Sequence, residues 1–239
     1  MLRIAEAWGA TYPGRKPGPN QDSILVGNTT LSQGQAAWDG TLPFGAAVAD
    51  GISGDPGGEV ASSLAVHALC GARPHTFNEA VETLGVANGL ISMVADQNPS
   101  IATMCTTIAA AWIYEDGILW CTRGDTPMYL VTYYGITLLS RPHSDQRGYI
   151  TSYLGANSVV TVRSTDGGFV SQRLEAVRAL LIMSDGITNF VSPNSLQKLA
   201  LDTATPIPEL GLGMMRRAFG NGSHDNMSFI MARLETTDD

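Results

Sequence analysis

Cysteine is scarce in this chain: Cys70, Cys105 and Cys121 are its only three, and none forms a C-x-x-C pair. An odd number of scattered thiols excludes a disulfide framework and argues against a zinc site, so they are read as reduced, buried thiols of a cytosolic protein. Basic residues are outnumbered, with 14 Lys and Arg against 22 Asp and Glu and a net charge of −8. That balance argues against non-specific nucleic-acid binding. It leaves phosphate chemistry open, because bound cations reverse the local field of clustered carboxylates. No apolar run approaches membrane-spanning length, and the first residues lack a basic segment followed by an apolar core, so the expected location is the cytoplasm, away from membranes. Repeats, low-complexity blocks and an interdomain linker are also missing. With 44% hydrophobic residues and a mean hydropathy of +0.05, the expectation is an ordinary globular chain, one domain over 1–239.

The apolar patterning predicts strands over 2–8, 23–26, 44–49, 106–114, 118–123, 128–131, 137–139, 179–183 and 227–234. Helices are predicted over 59–70, 77–96, 193–201 and 207–217, the second of them ended by Asn98-Pro99. Strands and helices come in blocks rather than alternating, which favours an α+β layered sandwich over a doubly wound sheet. The two central helices would cover one sheet and the C-terminal pair the other. The polar stretch 140–173 carries no clear period.

Against this background stand short acidic segments: P-N-Q-D-S (19–23), V-A-D-G-I-S-G-D-P-G-G (48–58), R-G-D-T-P-M-Y-L (123–130), L-I-M-S-D-G (181–186) and H-D-N-M-S (224–228). Asp50 and Asp185 follow apolar runs and Asp225 precedes one. A carboxylate at the end of a buried strand is costly unless paired, hydrogen-bonded or bound to a cation. Several converging from distant segments make an oxygen-rich site for a hard divalent ion. Each Asp-Gly taken alone reads better as a strand-ending turn than as a metal ligand.

The ordered set A-D-G with a Gly-rich tail, G-D-T, S-D-G and D-N-M-S resembles the PPM (type 2C) metal-dependent serine/threonine protein phosphatases, from about Ala5 to Leu234. The resemblance implies a four-layer α-β-β-α sandwich, with two central, mainly antiparallel sheets flanked by helix pairs. It implies Mn²⁺ or Mg²⁺ in a cleft at one end, two ions with a third, weaker site. Phosphoserine or phosphothreonine would then be hydrolysed by attack of a water activated between the ions, with no Ser, Cys or His nucleophile. Asp50 matches the bridging ligand, Gly51 a main-chain carbonyl ligand, Asp185 and Asp225 ligands of the first ion, and Asp125 the ligand of the third. Asn226 is expected to orient Asp225. The resemblance also implies a phosphoprotein substrate, an opposing serine/threonine kinase, a flap over 140–173 beside the cleft, and by default a monomer.

Several positions depart from the family pattern. Gln21 stands where a Glu usually contacts the second ion, so an uncharged amide is left there and Asp22 gains weight. The position of the phosphate-binding Arg holds Pro17, and Arg15 and Lys16 are the nearby substitutes. Ile52 stands in place of a His that acts as general acid in animal members. His143 is a candidate proton donor, although a loop histidine is more often structural or merely exposed. Cys105 replaces a Gly, and Thr106 and Thr107 read as core packing. Two rival readings share the fold: a pseudophosphatase that binds phosphoproteins without turnover, and a phosphohydrolase of small molecules.

Overall fold

The structure, a computed structural model, describes residues 1–236 except Lys16, Asp39, Ser53 and Asp55. The strands are β1 (Leu2–Tyr12), β2 (Asp22–Val26), β3 (Thr29–Leu31), β4 (Gly34–Trp38), β5 (Phe44–Asp50), β6 (Cys105–Thr106), β7 (Ile108–Tyr114) and β8 (Gly117–Arg123). They continue with β9 (Met128–Thr132), β10 (Gly135–Leu138), β11 (Leu154–Gly155), β12 (Asp166–Val170), β13 (Val177–Met183) and β14 (Met227–Thr236). The helices are α1 (Gly58–Leu69), α2 (Phe77–Gln97), the single turn α3 (Asp185–Thr188), α4 (Pro193–Leu201) and α5 (Ile207–Gly220).

Two six-stranded sheets form the centre, in the orders β10-β9-β13-β14-β1-β4 and β12-β8-β7-β5-β2-β3. Every pairing in both is antiparallel. Between the sheets lies one apolar layer, containing Ile24, Phe44, Val48, Trp120, Ile182 and Ile230. A second layer seals β5, β7 and β8 under α1 and α2, and a third seals β1, β13 and β14 under α4 and α5. The result is the expected α-β-β-α sandwich, with the helix pairs on the expected sheets.

The sequence explains this burial. Strand β7 (I-A-A-A-W-I-Y) is buried along its whole length because it faces apolar layers on both sides. Its alanines, with Ala47 and Ala49 of β5, let α1 and α2 sit close, and Trp112 and Leu84 fill the remaining volume. Each large side chain so buried contributes roughly 1.5–3 kcal/mol. Helix α2 is capped as Thr76 Oγ1 accepts from Glu79 N at 3.2 Å while Glu79 Oε2 accepts from His75 N at 2.6 Å.

The strand ends differ from expectation mainly by extension: β1 runs on to Tyr12 and β14 to Thr236. Strands β3, β4 and β12 have no counterpart among the predicted strands. The first two are sheet edges and half-solvated, so their side chains carry no clean alternation. Strand β12 lies inside the stretch expected as a flap: Asp166–Val170 pairs with β8 and closes one edge of its sheet. The thiol expectation fails at Cys70, which is exposed; Cys105 and Cys121 are buried. No described helix is long and apolar enough to cross a membrane.

Candidate metal centre

The antiparallel register delivers carboxylates from both sheets to one end of the sandwich. Asp22 opens β2 and Asp50 closes β5, and the two face each other as register partners. Asp125 lies two residues past the end of β8, Asp185 two past the end of β13, and Asp225 two before the start of β14. Asp50, Asp125, Asp185 and Asp225 line one cavity of about 300 Å³, together with Ile52, Thr107 and Tyr149. Asp22 is fully buried beside it.

Main-chain packing explains the glycines in these segments. A Cβ on Gly51 would lie 2.5 Å from the Gly58 carbonyl, so the turn after Asp50 abuts the first residue of α1. A Cβ on Gly186 would lie 2.0 Å from the Asn226 carbonyl oxygen, so S-D-G packs main chain to main chain against D-N. Ser184 N donates to Ser228 O at 3.0 Å and Ser228 N to Ser184 Oγ at 2.9 Å, which extends the β13–β14 pairing to the two aspartates.

Hydroxyls position the carboxylates. Ser228 Oγ lies 2.7 Å from Asp22 Oδ2 and 2.8 Å from Thr11 Oγ1; with a single proton it donates to the carboxylate, and Thr11 completes the chain. Thr107 binds Asp50 twice through the main chain, its N donating to Asp50 O at 2.8 Å and its Oγ1 accepting from Asp50 N at 3.2 Å. Thr126 Oγ1 lies 2.6 Å from Thr107 Oγ1. Thr107, read from the sequence as core packing, therefore lines the site, and Thr126 was not singled out by the sequence. The G-D-T segment was the available signal.

Asn226 makes contacts through both main chain and side chain. Its main-chain N donates to Asp225 Oδ1 at 2.8 Å, but its side chain accepts from Gln21 N at 2.9 Å and donates to Pro13 O at 2.8 Å. Asn226 thus orients Asp225 through its main chain, while its side-chain amide ties the N-terminal loop to the site. Gln21 lies against α1, its Nε2 2.8 Å from where a Cβ on Gly58 would sit.

Two further candidates do not line the cavity. Arg15 is exposed and stacks its guanidinium 3.8 Å above the Phe219 ring of α5. His143 Nδ1 lies 3.2 Å from Gly124 N and 3.1 Å from Gly124 O, and the ring faces a different cavity. Its placement supports the structural reading of that histidine over the proton donor. Lys16 lies outside the described residues. At the lip, Asp145 Oδ1 accepts from Arg147 N at 2.8 Å and Tyr149 N at 2.9 Å, which rigidifies a small hairpin carrying Tyr149, 69% exposed.

Charge crowding dominates the electrostatics. Burial, then the nearby charges of Asp22, Asp185, Asp225 and Asp125, push the Asp50 carboxyl well above its usual range. Burial pushes Asp22 up to about 6, against the stabilising hydrogen bonds from Ser228 and Ser184. Burial also raises Asp125. Asp22 Oδ1 is buried and makes no hydrogen bond among the described residues. Among those residues, no three His, Cys, Asp or Glu side chains are gathered into a finished ion cage. The carboxylates share a wall, and rotation about their Cα–Cβ bonds is what would bring their oxygens onto a common cation. An all-oxygen donor set, crowded negative charge and an orphaned buried carboxylate oxygen fit a hard divalent ion. The larger cavity of about 620 Å³ lies at the other end of the sandwich, where Glu6, Arg178 and Arg233 face one another, and offers no such donor set.

A layered sandwich with carboxylates from both sheets meeting at one end places the chain in the class of two-sheet α-β-β-α sandwiches with an acidic cleft. Residues 15–214 match the family model described as Protein phosphatase 2C, and the chain belongs to that family. Serine/threonine phosphatase stp of Listeria monocytogenes is 24% identical over 218 residues, 80% of this chain and 84% of that protein. Among solved structures, serine/threonine phosphatase Stp1 of Staphylococcus aureus superposes with a TM-score of 0.81 at 23% identity, over 98% of this chain and 96% of that one. The catalytic domain of the phosphatase PstP, solved with two manganese ions, gives 0.78 at 19% identity, over 99% of this chain and all of that one. At such identities the structural likeness speaks for the fold.

Proposed function

We propose that this chain is a divalent-metal-dependent phosphatase that removes phosphate from phosphoserine and phosphothreonine in proteins, using Mn²⁺ or Mg²⁺. The convergence of Asp50, Asp125, Asp185 and Asp225 on one cavity is the observation that carries this reading. Family membership supports it, and neither rival reading is favoured by any feature of the site.

In this reading Asp50, Asp185 and Asp225 would hold one ion, Asp50 with Asp22, Gln21 and the Gly51 carbonyl a second, and Asp125 a third. Bound there, such ions would supply charge to offset the phosphate dianion and to lower the pKa of a water molecule. The protein's own contribution is placement. Thr107 and Thr126 fix the main chain at Asp50, and Ser228 with Thr11 fixes Asp22. Arg15 is assigned to the substrate phosphate on position alone: its neighbour Gly14 packs against the Asp225 carbonyl, which places this loop beside the acidic cavity. The enzyme would act as a monomer in the cytoplasm, opposite a serine/threonine kinase.

The direct test is hydrolysis of p-nitrophenyl phosphate and a phosphothreonine peptide with Mn²⁺, with Mg²⁺ and with EDTA. Turnover of both substrates with metal, lost in EDTA, is expected. Absence of turnover with either metal, from folded protein, would overturn the proposal in favour of a phosphoprotein-binding role.

A further inference from the structure

A second cavity, of about 380 Å³, adjoins the acidic one; its walls include Arg123, His143, Ser152, Asn157, Ser158 and Ser164. The two cavities share neighbouring chain positions. Ile150 lines the acidic cavity and Thr151 this one, while Asp125 and Arg123 flank Gly124 in the same way. Arg123, the last residue of β8, is 3% exposed. Its Nε donates to Tyr153 O at 3.0 Å, Nη1 to Ser164 O at 2.9 Å and Ser164 Oγ at 2.5 Å, and Nη2 to Ser158 Oγ at 3.0 Å.

All these acceptors are neutral. Among the described residues Arg123 forms no ion pair, and the cavity wall contains no Asp or Glu. A buried guanidinium keeps its charge at every physiological pH, and burial without a counter-charge is costly even when its N–H groups are bonded. The arginines of the opposite end show the contrast: Arg233 is met by Glu6 at 2.7 Å. Around Arg123 the Thr151 hydroxyl and the Asn157 amide add polar groups at the mouth, and Asn157 stands in the left-handed region at φ 61°, its position in the turn thereby fixed. The four bonds leave one Nη2 N–H and an uncompensated positive charge, which with the neutral hydroxyls and amide of the wall is chemistry suited to an oxyanion.

We propose that this cavity is a second oxyanion site, built around Arg123 and taking a phosphate-class anion. Two sources share that chemistry: phosphate released by hydrolysis next door, and a second phosphoryl group on the same substrate. The choice of phosphate rests on the phosphatase reading of the acidic cavity; the existence of an anion site does not.

The test is calorimetric titration of inorganic phosphate into EDTA-treated protein in sulfate-free buffer. Without metal the aspartates repel phosphate, so saturable uptake reports this cavity, independently of any turnover. One phosphate per chain is expected at millimolar concentration, unchanged in Asp185→Asn. Asn157→Asp places a carboxylate at the mouth while leaving Arg123 and its struts in place, and should weaken uptake by at least about tenfold. Arg123→Gln should abolish it. No saturable uptake by folded wild-type protein, or wild-type uptake by Asn157→Asp, would overturn the site and reduce Arg123 to a strut for the 153–164 loops, whether or not Arg123→Gln folds. Competition between singly and doubly phosphorylated peptides then separates the sources. Preference for the doubly phosphorylated peptide, lost in Asn157→Asp, marks a substrate group; equal competition marks released phosphate.

Discussion

The two ends of the sandwich handle charge in opposite ways. At the end where β1 begins, Glu6 Oε2 meets Arg233 Nη1 at 2.7 Å, Arg233 Nη2 donates to Asp202 O and Thr205 O, and Glu6 Oε1 accepts from Ile207 N at 3.0 Å to hold the start of α5. Charge there is met by charge and fastens helix to sheet. At the end where β1 finishes, burial and then the charges of Asp22, Asp185, Asp225 and Asp125 raise the proton affinity of Asp50, and Asp22 keeps a buried oxygen with no hydrogen bond among the described residues. The first end stabilises the chain; the second holds an unfavourable arrangement that a cation relieves. That asymmetry locates function more securely than cavity size does, since the larger cavity is at the satisfied end.

The largest effect should come from breaking the acidic end. Asp50→Asn or Asp185→Asn is expected to lower kcat/KM on a phosphothreonine peptide by on the order of a hundred- to a thousandfold, several kcal/mol of charge stabilisation, while the circular dichroism stays that of wild type. Near wild-type rates in either variant would sink the metal assignment.

Metal removal comes next. At about a hundredfold excess over Kd, Mn²⁺ should stabilise the fold by roughly 2.7 kcal/mol, read as a higher Tm than in EDTA. The metal-free protein should also respond to pH through Asp22. Its folded pKa of about 6 lies above the ordinary value of 3.8, so its contribution is fully present below that ordinary value and lost as pH rises through 6. Asp22→Asn should therefore raise the Tm in EDTA at pH 7 and leave it unchanged at pH 3.5; an equal shift at both would refute the charge-burial argument.

At the satisfied end, Glu6→Gln strands part of the Arg233 charge. With Glu6 34% exposed, solvent screens the pair, and the expected loss is about 1–3 kcal/mol in urea unfolding with kcat unchanged. A fall in kcat at constant metal affinity would show that the ends are not separate. The smallest effect is expected at Arg15: Arg15→Ala should raise KM several-fold with little change in kcat, and an unaltered KM would remove it from phosphate binding.

How much of this was legible beforehand follows from how each residue makes its contacts. Strands β5, β7, β8 and β13 announce themselves because burial on both faces demands unbroken apolar runs. The acidic segments do so because an aspartate closing such a run demands a reason. Strands β3 and β4 stay hidden because an edge strand tolerates T-T-L and G-Q-A-A-W equally well. The D-G-G-F-V of β12 reads as loop because its burial is only partial and glycine has little strand preference. Thr107, Thr126 and Ser228 escape notice because a hydroxyl's role depends on the acceptor that the fold sets across from it. Where Arg15 and His143 point is likewise a property of the loops' paths, not of the residues themselves.

The aspartates are divided between the sheets: Asp22, Asp50 and Asp125 belong to one, Asp185 and Asp225 to the other. A cation held by both groups would thus be a staple through two leaves that otherwise meet along an apolar face, with a few hydrogen bonds such as Ser228 to Asp22 at its margin. Slippage of one leaf over the other opens the staple, and tightening the staple resists the slip. Residues deep in that shared face, such as Ile24, Trp120 and Ile230, fix how the leaves align and would thereby bear on how firmly such a staple closes.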